Sequence, residues 1–202
     1  YCLNSLVNQT ISDYEIIAVD DCSTDNSLEI LRNYQKKFPD KIRVIASPVN
    51  KKQGGAKNLG LEVACGEWIG FIDSDDWVTE DFYERLLTRA EETGADMVGC
   101  DYHLTHKHSM EIGTVVANNK ASQTGELEEE KYRSLILDSG SLVVKIYKRH
   151  IIMDYPNRFP EGIFYEDNAI SNSWMLRSKH FEYIPEPLYY YYQHGSSTVH
   201  TI

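Results

Sequence analysis

Four short apolar runs recur along the first half of this chain with helix-like stretches between them: EIIAV at 15–19, IRVIA at 42–46, EWIGFI at 67–72 and ADMVGCDYH at 95–103. Runs of this length and composition suit strands buried on both faces of a parallel sheet. Between the first two, Leu28, Leu31 and Tyr34 fall at helical spacing after the cap-forming Ser23, Thr24, Asp25 and Asn26, and Pro39 stops the pattern. The segment SPVNKKQGG reads as loop, after which Ala56, Leu59 and Val63 mark a short helix closed by Gly66. Thr79 is placed to cap a further helix with Phe82, Leu86 and Ala90 on one face and Gly94 as its stop. Consecutive βα units favour right-handed crossovers, so the expectation is an α/β fold: a mostly parallel central sheet flanked by helices.

The grammar changes after about His103. Residues 105–126 are polar without clear period and read as an excursion or hairpin. Leu127 to Leu137 look helical, SLVVKIY at 141–147 looks like a strand, and YEDNAISNSWML at 165–176 looks like a helix opened by acids. The tail PEPLYYYYQHGSSTVH is aromatic and then loop-like. We therefore expect one domain over 1–202, with a ligand-binding half at 1–104 and an added C-terminal subdomain at 105–202. YCLNSLVNQT reads as the middle of an amphipathic helix, which implies that an opening strand is lacking.

Composition removes several function classes. A formal charge of −11 opposes general affinity for nucleic acid or anionic lipid, so an anionic substrate needs a local counter-charge. The four cysteines form no CxxC pair, which points away from zinc or a disulfide framework and toward a reducing, cytoplasmic setting. No apolar run reaches membrane-spanning length, leaving peripheral membrane contact open.

Chemistry concentrates where strands end. In open α/β sheets ligands bind outside the carboxyl ends of the strands. Asp20 and Asp21 close one run, and Asp73, Asp75 and Asp76 follow another. Carboxylates so close together are either solvated or hold a cation. Magnesium or manganese takes oxygen ligands, often only one or two from protein, with water and substrate phosphates completing the shell. Between these ends lies QGGAKN, where Gly54 and Gly55 permit close approach of backbone to a ligand and Lys57 offers a positive charge near a helix start. A plain turn before a helix explains the glycines equally well. Downstream, Glu166 and Asp167 stand at a helix start, where they are either dipole-favoured caps or, opposite a cation, a proton acceptor.

Other patterns carry less. Counting Asp73 as the first position of a calcium loop puts Glu84 twelfth, but Trp77 and Val78 occupy places that need an oxygen ligand and glycine. His103, His106 and His108 match no closed zinc spacing. The tyrosines at 189–192 read as a mixture of core and exposed stacking surface, and Trp77 and Trp174 as core, with Trp77 close enough to the acids to line a site. A phosphoacceptor domain leaves FYEDN unexplained. A nucleotidyltransferase is the nearest enzymatic rival, without the glycine-rich basic loop it needs.

Taken in order, VDDCSTDNS, GGAKNLGLEVACGEWIGFIDSDDWV and FYEDN resemble the nucleotide-sugar-dependent glycosyltransferases of family 2, whose fold is called GT-A. The resemblance implies that Asp21 contacts the nucleobase, with a UDP-sugar the favoured donor. Lys57 occupies a place where the family often has a basic residue, more usually arginine. Asp73 and Asp75 match its D-x-D, the first near the ribose or metal shell and the second a direct metal ligand, with Asp76 a supporting neighbour. Asp167 matches the catalytic base and Glu166 the alternative; His194 either reaches phosphate or metal or is a surface-loop residue. The implied reaction is inverting transfer to a glycan or lipid-linked saccharide hydroxyl, assisted by Mn2+ or Mg2+, as in polysaccharide biosynthesis. The non-enzymatic alternative is a domain that binds nucleotide sugar without turnover.

Overall fold

An apolar run becomes a strand only over the residues that find a ladder partner, and that condition trims several of the runs above. The computed structural model describes residues 1–110 and 113–194. Its first elements are α1 (Cys2–Val7), β1 (Ile16–Asp20), α2 (Ser27–Lys37), β2 (Ile42–Ala46) and α3 (Lys52–Leu61). β1 and β2 pair in parallel, Ile16 opposite Ile42 through Asp20 opposite Ala46, as a two-stranded sheet. The helix α1 buries Leu6 and Val7, in keeping with its amphipathic pattern. α2 stops at Phe38, ahead of Pro39, because proline disfavours helical backbone in the residue before it.

There follow β3 (Trp68–Gly70), β4 (Trp77–Val78), α4 (Phe82–Thr93), β5 (Met97–Thr105), β6 (Thr114–Val116), β7 (Gly125–Glu126), α5 (Glu129–Leu137), β8 (Lys145–Lys148), α6 (Arg149–Met153), α7 (Glu166–Met175) and β9 (His180–Tyr192). These strands form a seven-stranded sheet with the path β3-β8-β5-β9-β4, to which β6 is joined at β5 and β7 at β9. The α/β class stands, with a central sheet and flanking helices, but the sheet is mixed rather than mostly parallel. β5 and β9 run parallel, whereas β8 lies antiparallel between β3 and β5, and β4, β6 and β7 oppose their partners. Alternating helix and strand signals constrain direction only for strands joined by crossovers. β8 arrives from the second half of the chain and fills the gap between two ladder edges without that constraint.

Local expectations divide in the same way. Phe82, Leu86 and Ala90 are buried on one face of α4, and Gly94 ends the helix at φ 73°, a conformation that favours glycine. Asp81, not Thr79, is the N-cap; the Thr79 backbone is instead engaged by Leu188 and by the Gln9 side chain. Residues 105–126, expected as an excursion or hairpin, supply the returning strand of a hairpin with β5, Tyr102 opposite Val116 and Leu104 opposite Thr114. In SLVVKIY the ladder starts only at Lys145.

The helix α3 is the largest local correction. It starts at Lys52, within the expected loop, takes Gly54 and Gly55 into its first turn and ends at Leu61, before Gly66. A Cβ at Gly54 would stand 2.2 Å from the Pro160 carbonyl oxygen, so glycine is needed there by contact with the chain leading into α7. Asn58 completes the contact: its side chain donates to the Phe159 carbonyl at 2.9 Å and accepts from the Phe159 N–H at 3.0 Å. Beneath it, Phe71 stacks on Trp174 with ring centroids 5.7 Å apart, and Phe159 and Tyr147 meet the same indole edge-on. Fully burying side chains of this size contributes about 1.5–3 kcal/mol each. This cluster holds the chain just beyond β3 against the last turn of α7 and the segment that leads into that helix.

Candidate functional site

Beyond β3 the chain turns, with the Asp76 N–H donating to the Asp73 carbonyl at 3.1 Å. The three acids of the turn then separate: Asp73 is half-buried, Asp75 exposed and Asp76 wholly buried. A cavity of about 320 Å³ is lined by Lys57, Asp73, Asp75, Glu166 and Asp167. Two of the three sequence blocks singled out above, the one from Gly54 to Val78 and FYEDN, therefore meet here. Parallel β5 and β9 bring late residues to this cavity, Tyr102 and then Tyr191 and Tyr192, while antiparallel β8 is preceded by Ser141 and Val144 there. A neighbouring cavity of about 260 Å³ is lined by Asp21, Asn50, Lys52 and Phe164, and Gln53 lines both.

Asp21 lies just past β1 and accepts the Lys51 N–H on both carboxylate oxygens, at 2.8 and 3.0 Å. Asp20 turns inward, 4% exposed, and accepts from the Ser23 N–H. On α3, Lys57 donates to Glu166 at 2.7 Å, and both side chains are largely withdrawn from solvent. This ion pair joins residues far apart in sequence. Asp167, in the first turn of α7, remains partly open to the cavity and accepts the Asn168 N–H at 2.9 Å. Ahead of it Tyr165 adopts φ 59°, a left-handed conformation that costs about 1–3 kcal/mol in a non-glycine residue and concentrates at functional sites.

Electrostatics separate these acids further. Burial raises the pKa of Asp73; Lys57 opposes the shift and the nearby carboxylates of Asp75, Glu166 and Asp167 add to it. Burial pushes Asp76 up to about 8 despite hydrogen bonds from Tyr189 and Tyr192. His194 stands with Nε2 3.2 Å from Asp75, which places its ring at the acidic turn; the tail from 195 onward lies outside the described residues.

The remaining aromatic and histidine residues fall into place around this cavity. Tyr189 and Tyr190 are buried, while Tyr191 and Tyr192 are half-buried and line the cavity, which is the mixture expected of that run. Trp77 is core, stacked on Tyr190 at 5.4 Å. His103 stacks on Tyr190, His108 stacks on Tyr192, and His106 Nδ1 pairs with the Gln193 carbonyl. Among the described residues no group of three or more His, Cys, Asp or Glu is disposed to hold a metal. Sequence reasoning missed Gln53, Tyr102, Ser141 and Tyr165. Tyr102 carried a usable signal, since it stands near the end of the run that forms β5; Ser141 carried none.

A family model described as glycosyl transferase family 2 matches residues 1–150. A putative glycosyltransferase of Bacillus subtilis, EpsH, is 34% identical over 205 residues, which cover 98% of this chain and 58% of that protein. An uncharacterized glycosyltransferase of Escherichia coli, YibD, is 30% identical over 200 residues, covering 97% of this chain and 58% of its own length. Among solved structures, S. aureus TarS 1–349 in complex with UDP-GlcNAc is similar with a TM-score of 0.79 at 26% identity, over 96% of this chain and 54% of that one. The chain thus spans 58% of the length of the curated relatives EpsH and YibD.

Proposed function

The chain belongs to glycosyl transferase family 2, and we propose that it moves a sugar from a nucleoside diphosphate sugar to an acceptor hydroxyl, with inversion at the anomeric carbon. The observation that carries this reading is the single cavity onto which Lys57, Asp73, Asp75 and Asp167 all open. The UDP-GlcNAc bound by the similar TarS supports a UDP-sugar as donor class.

No cluster of three ligands is present among the described residues, so the reading rests on a cation that takes only one or two protein carboxylates. Asp73, Asp75, Glu166 and Asp167 share the cavity with one ammonium, Lys57, which Glu166 already pairs, so four carboxyl groups face too little positive charge. Asp75, exposed at the turn, and Asp73 beside it would hold Mn2+ or Mg2+, which accepts few protein oxygens and leaves room for phosphate. When bound, such an ion offsets the negative charge that gathers on a departing diphosphate.

The chain's own residues divide the remaining work. Asp21 meets the nucleobase at the neighbouring cavity, and Gln53 lines both cavities. The Lys57 ammonium meets phosphate as a point charge and stabilises the leaving group. As the bond between the anomeric carbon and the diphosphate oxygen breaks, the acceptor oxygen bonds to that carbon from the opposite face and its proton passes to Asp167. Glu166 is unsuited to that role because Lys57 holds it. Tyr102, Tyr191 and Tyr192 give the cavity an aromatic wall suited to the apolar faces of a glycan or lipid-linked saccharide. The free cysteines suit a reducing, cytoplasmic setting, and among the described residues no helix is long and apolar enough to cross a membrane.

Calorimetric titration with a panel of nucleoside diphosphate sugars, with and without manganese, tests this reading. Binding of at least one that strengthens with manganese is expected; no heat and no thermal shift with any of them would contradict it.

A further inference from the structure

The acid that the reaction leaves unused is Asp76. It is 0% exposed and is not part of the cavity wall, so it touches neither donor nor acceptor. Burying a carboxyl is costly unless its oxygens are hydrogen-bonded, and an apolar side chain would fill the same space at less cost. Its partners are therefore informative. Oδ2 receives the Tyr189 hydroxyl at 2.5 Å and Oδ1 receives the Tyr192 N–H at 2.8 Å, both from β9. The same Tyr189 hydroxyl lies 3.5 Å from the Asp73 N–H, and the Asp76 N–H closes the turn onto the Asp73 carbonyl at 3.1 Å.

The ladder between β4 and β9 comprises only Trp77 opposite Tyr190 and Val78 opposite Tyr189. Asp76 extends that short ladder by one side chain, reaching Tyr192 beyond its last rung. The turn from Asp73 to Asp75 is thus gripped from behind, and the grip also fixes the segment that presents Tyr191 and Tyr192 to the cavity.

We propose that Asp76 is a positioning residue: through Tyr189 and Tyr192 it sets the backbone of the Asp73–Asp75 turn against β9, so that the carboxylates meeting the cation and diphosphate are preset before the donor arrives. This rests on the glycosyl-transfer reading above. Partners that orient a metal ligand typically account for about 10–100-fold in metal affinity or activity.

The test compares donor affinity with and without manganese in the wild-type protein, Asp76→Leu, Asp76→Asn and Tyr189→Phe, each with its thermal unfolding midpoint. The measured quantity is the manganese-dependent gain in affinity for UDP. Asp76→Leu and Tyr189→Phe should lose about tenfold or more of that gain while binding of UDP without metal stays near wild type. Asp76→Asn, which keeps an acceptor for the Tyr192 N–H and a partner for the Tyr189 hydroxyl, should recover most of the loss seen in Asp76→Leu. Should Asp76→Leu fail to fold, Tyr189→Phe removes a single oxygen and carries the test. Folded variants with an undiminished gain, or metal-free and metal-dependent binding falling together, would overturn the positioning role alone. Absence of any manganese-dependent gain in the wild-type protein would overturn the functional reading with it.

Discussion

Lys57 and Lys145 are both withdrawn from solvent, Lys57 at the cavity and Lys145 in β8, and their surroundings are arranged in opposite ways. The Lys145 ammonium donates to the Ser139 and Ser141 carbonyls at 2.8 Å each. Around it polar groups satisfy one another: Asp101 accepts from Tyr183 and from the Asn118 N–H, Asn119 donates to Gln123, and Gln123 donates to Ser134 and the Asp138 carbonyl. Lys57 pairs with Glu166, whose second oxygen is buried with no hydrogen-bond partner among the described residues. Native proteins rarely leave such an atom unmet. Around Lys145 the polar groups meet one another, whereas at Glu166 one buried oxygen beside the cavity is unmet among the described residues, as the indole N–H groups of Trp77 and Trp174 are in the core.

The comparison can be broken first at Lys57. Lys57→Met should lower transfer by roughly 10²–10³-fold. It should also destabilise the fold by about 3–5 kcal/mol, because Glu166 stays buried without its partner. Adding Glu166→Gln should restore stability in urea unfolding but not transfer; restored transfer would class Lys57 with Lys145 as architecture. Asp75→Asn should weaken manganese-dependent donor binding by about a hundredfold. Because Asp75 is exposed at the turn, its unfolding midpoint should stay at the wild-type value, as calorimetry and thermal melts would show.

Gly54→Ala probes the contact between α3 and the segment leading into the helix of the proposed base. The added methyl meets the Pro160 carbonyl, so a loss of about 1–3 kcal/mol is expected, with a fall in kcat greater than any change in donor affinity. The smallest effect belongs to Lys145. Burial lowers its pKa from 10.5 to about 7, so between those values the unfolded chain holds a proton that the folded chain has released. Stability contributed by this group therefore rises with pH across that window. Lys145→Met should flatten that rise in urea unfolding measured from pH 7 to 9 and leave donor binding unchanged.

What could be read in the sequence was local. Periodicity identified the apolar face of α4 and its stop at Gly94, and the abrupt change from Phe71 and Ile72 to Asp73 marked the turn after β3 that lines the cavity. Strand direction was less legible, since β8 enters the sheet from outside the alternating series. Partners distant in sequence were invisible. Nothing near Gly54 names Pro160, nothing near Lys57 names Glu166, and Asp76 looks like its neighbours until Tyr189 closes over it. His194 shows the same limit, because only the fold brings its ring to Asp75.

The most direct test of the central claim is donor binding and transfer measured side by side for Asp167→Asn. Its side chain is open to the cavity and engaged only by its neighbour's N–H among the hydrogen bonds of the described residues, so the substitution should disturb little else. The account predicts wild-type donor affinity and manganese dependence, with transfer reduced by about 10²–10⁴-fold. Transfer at the wild-type rate would contradict it.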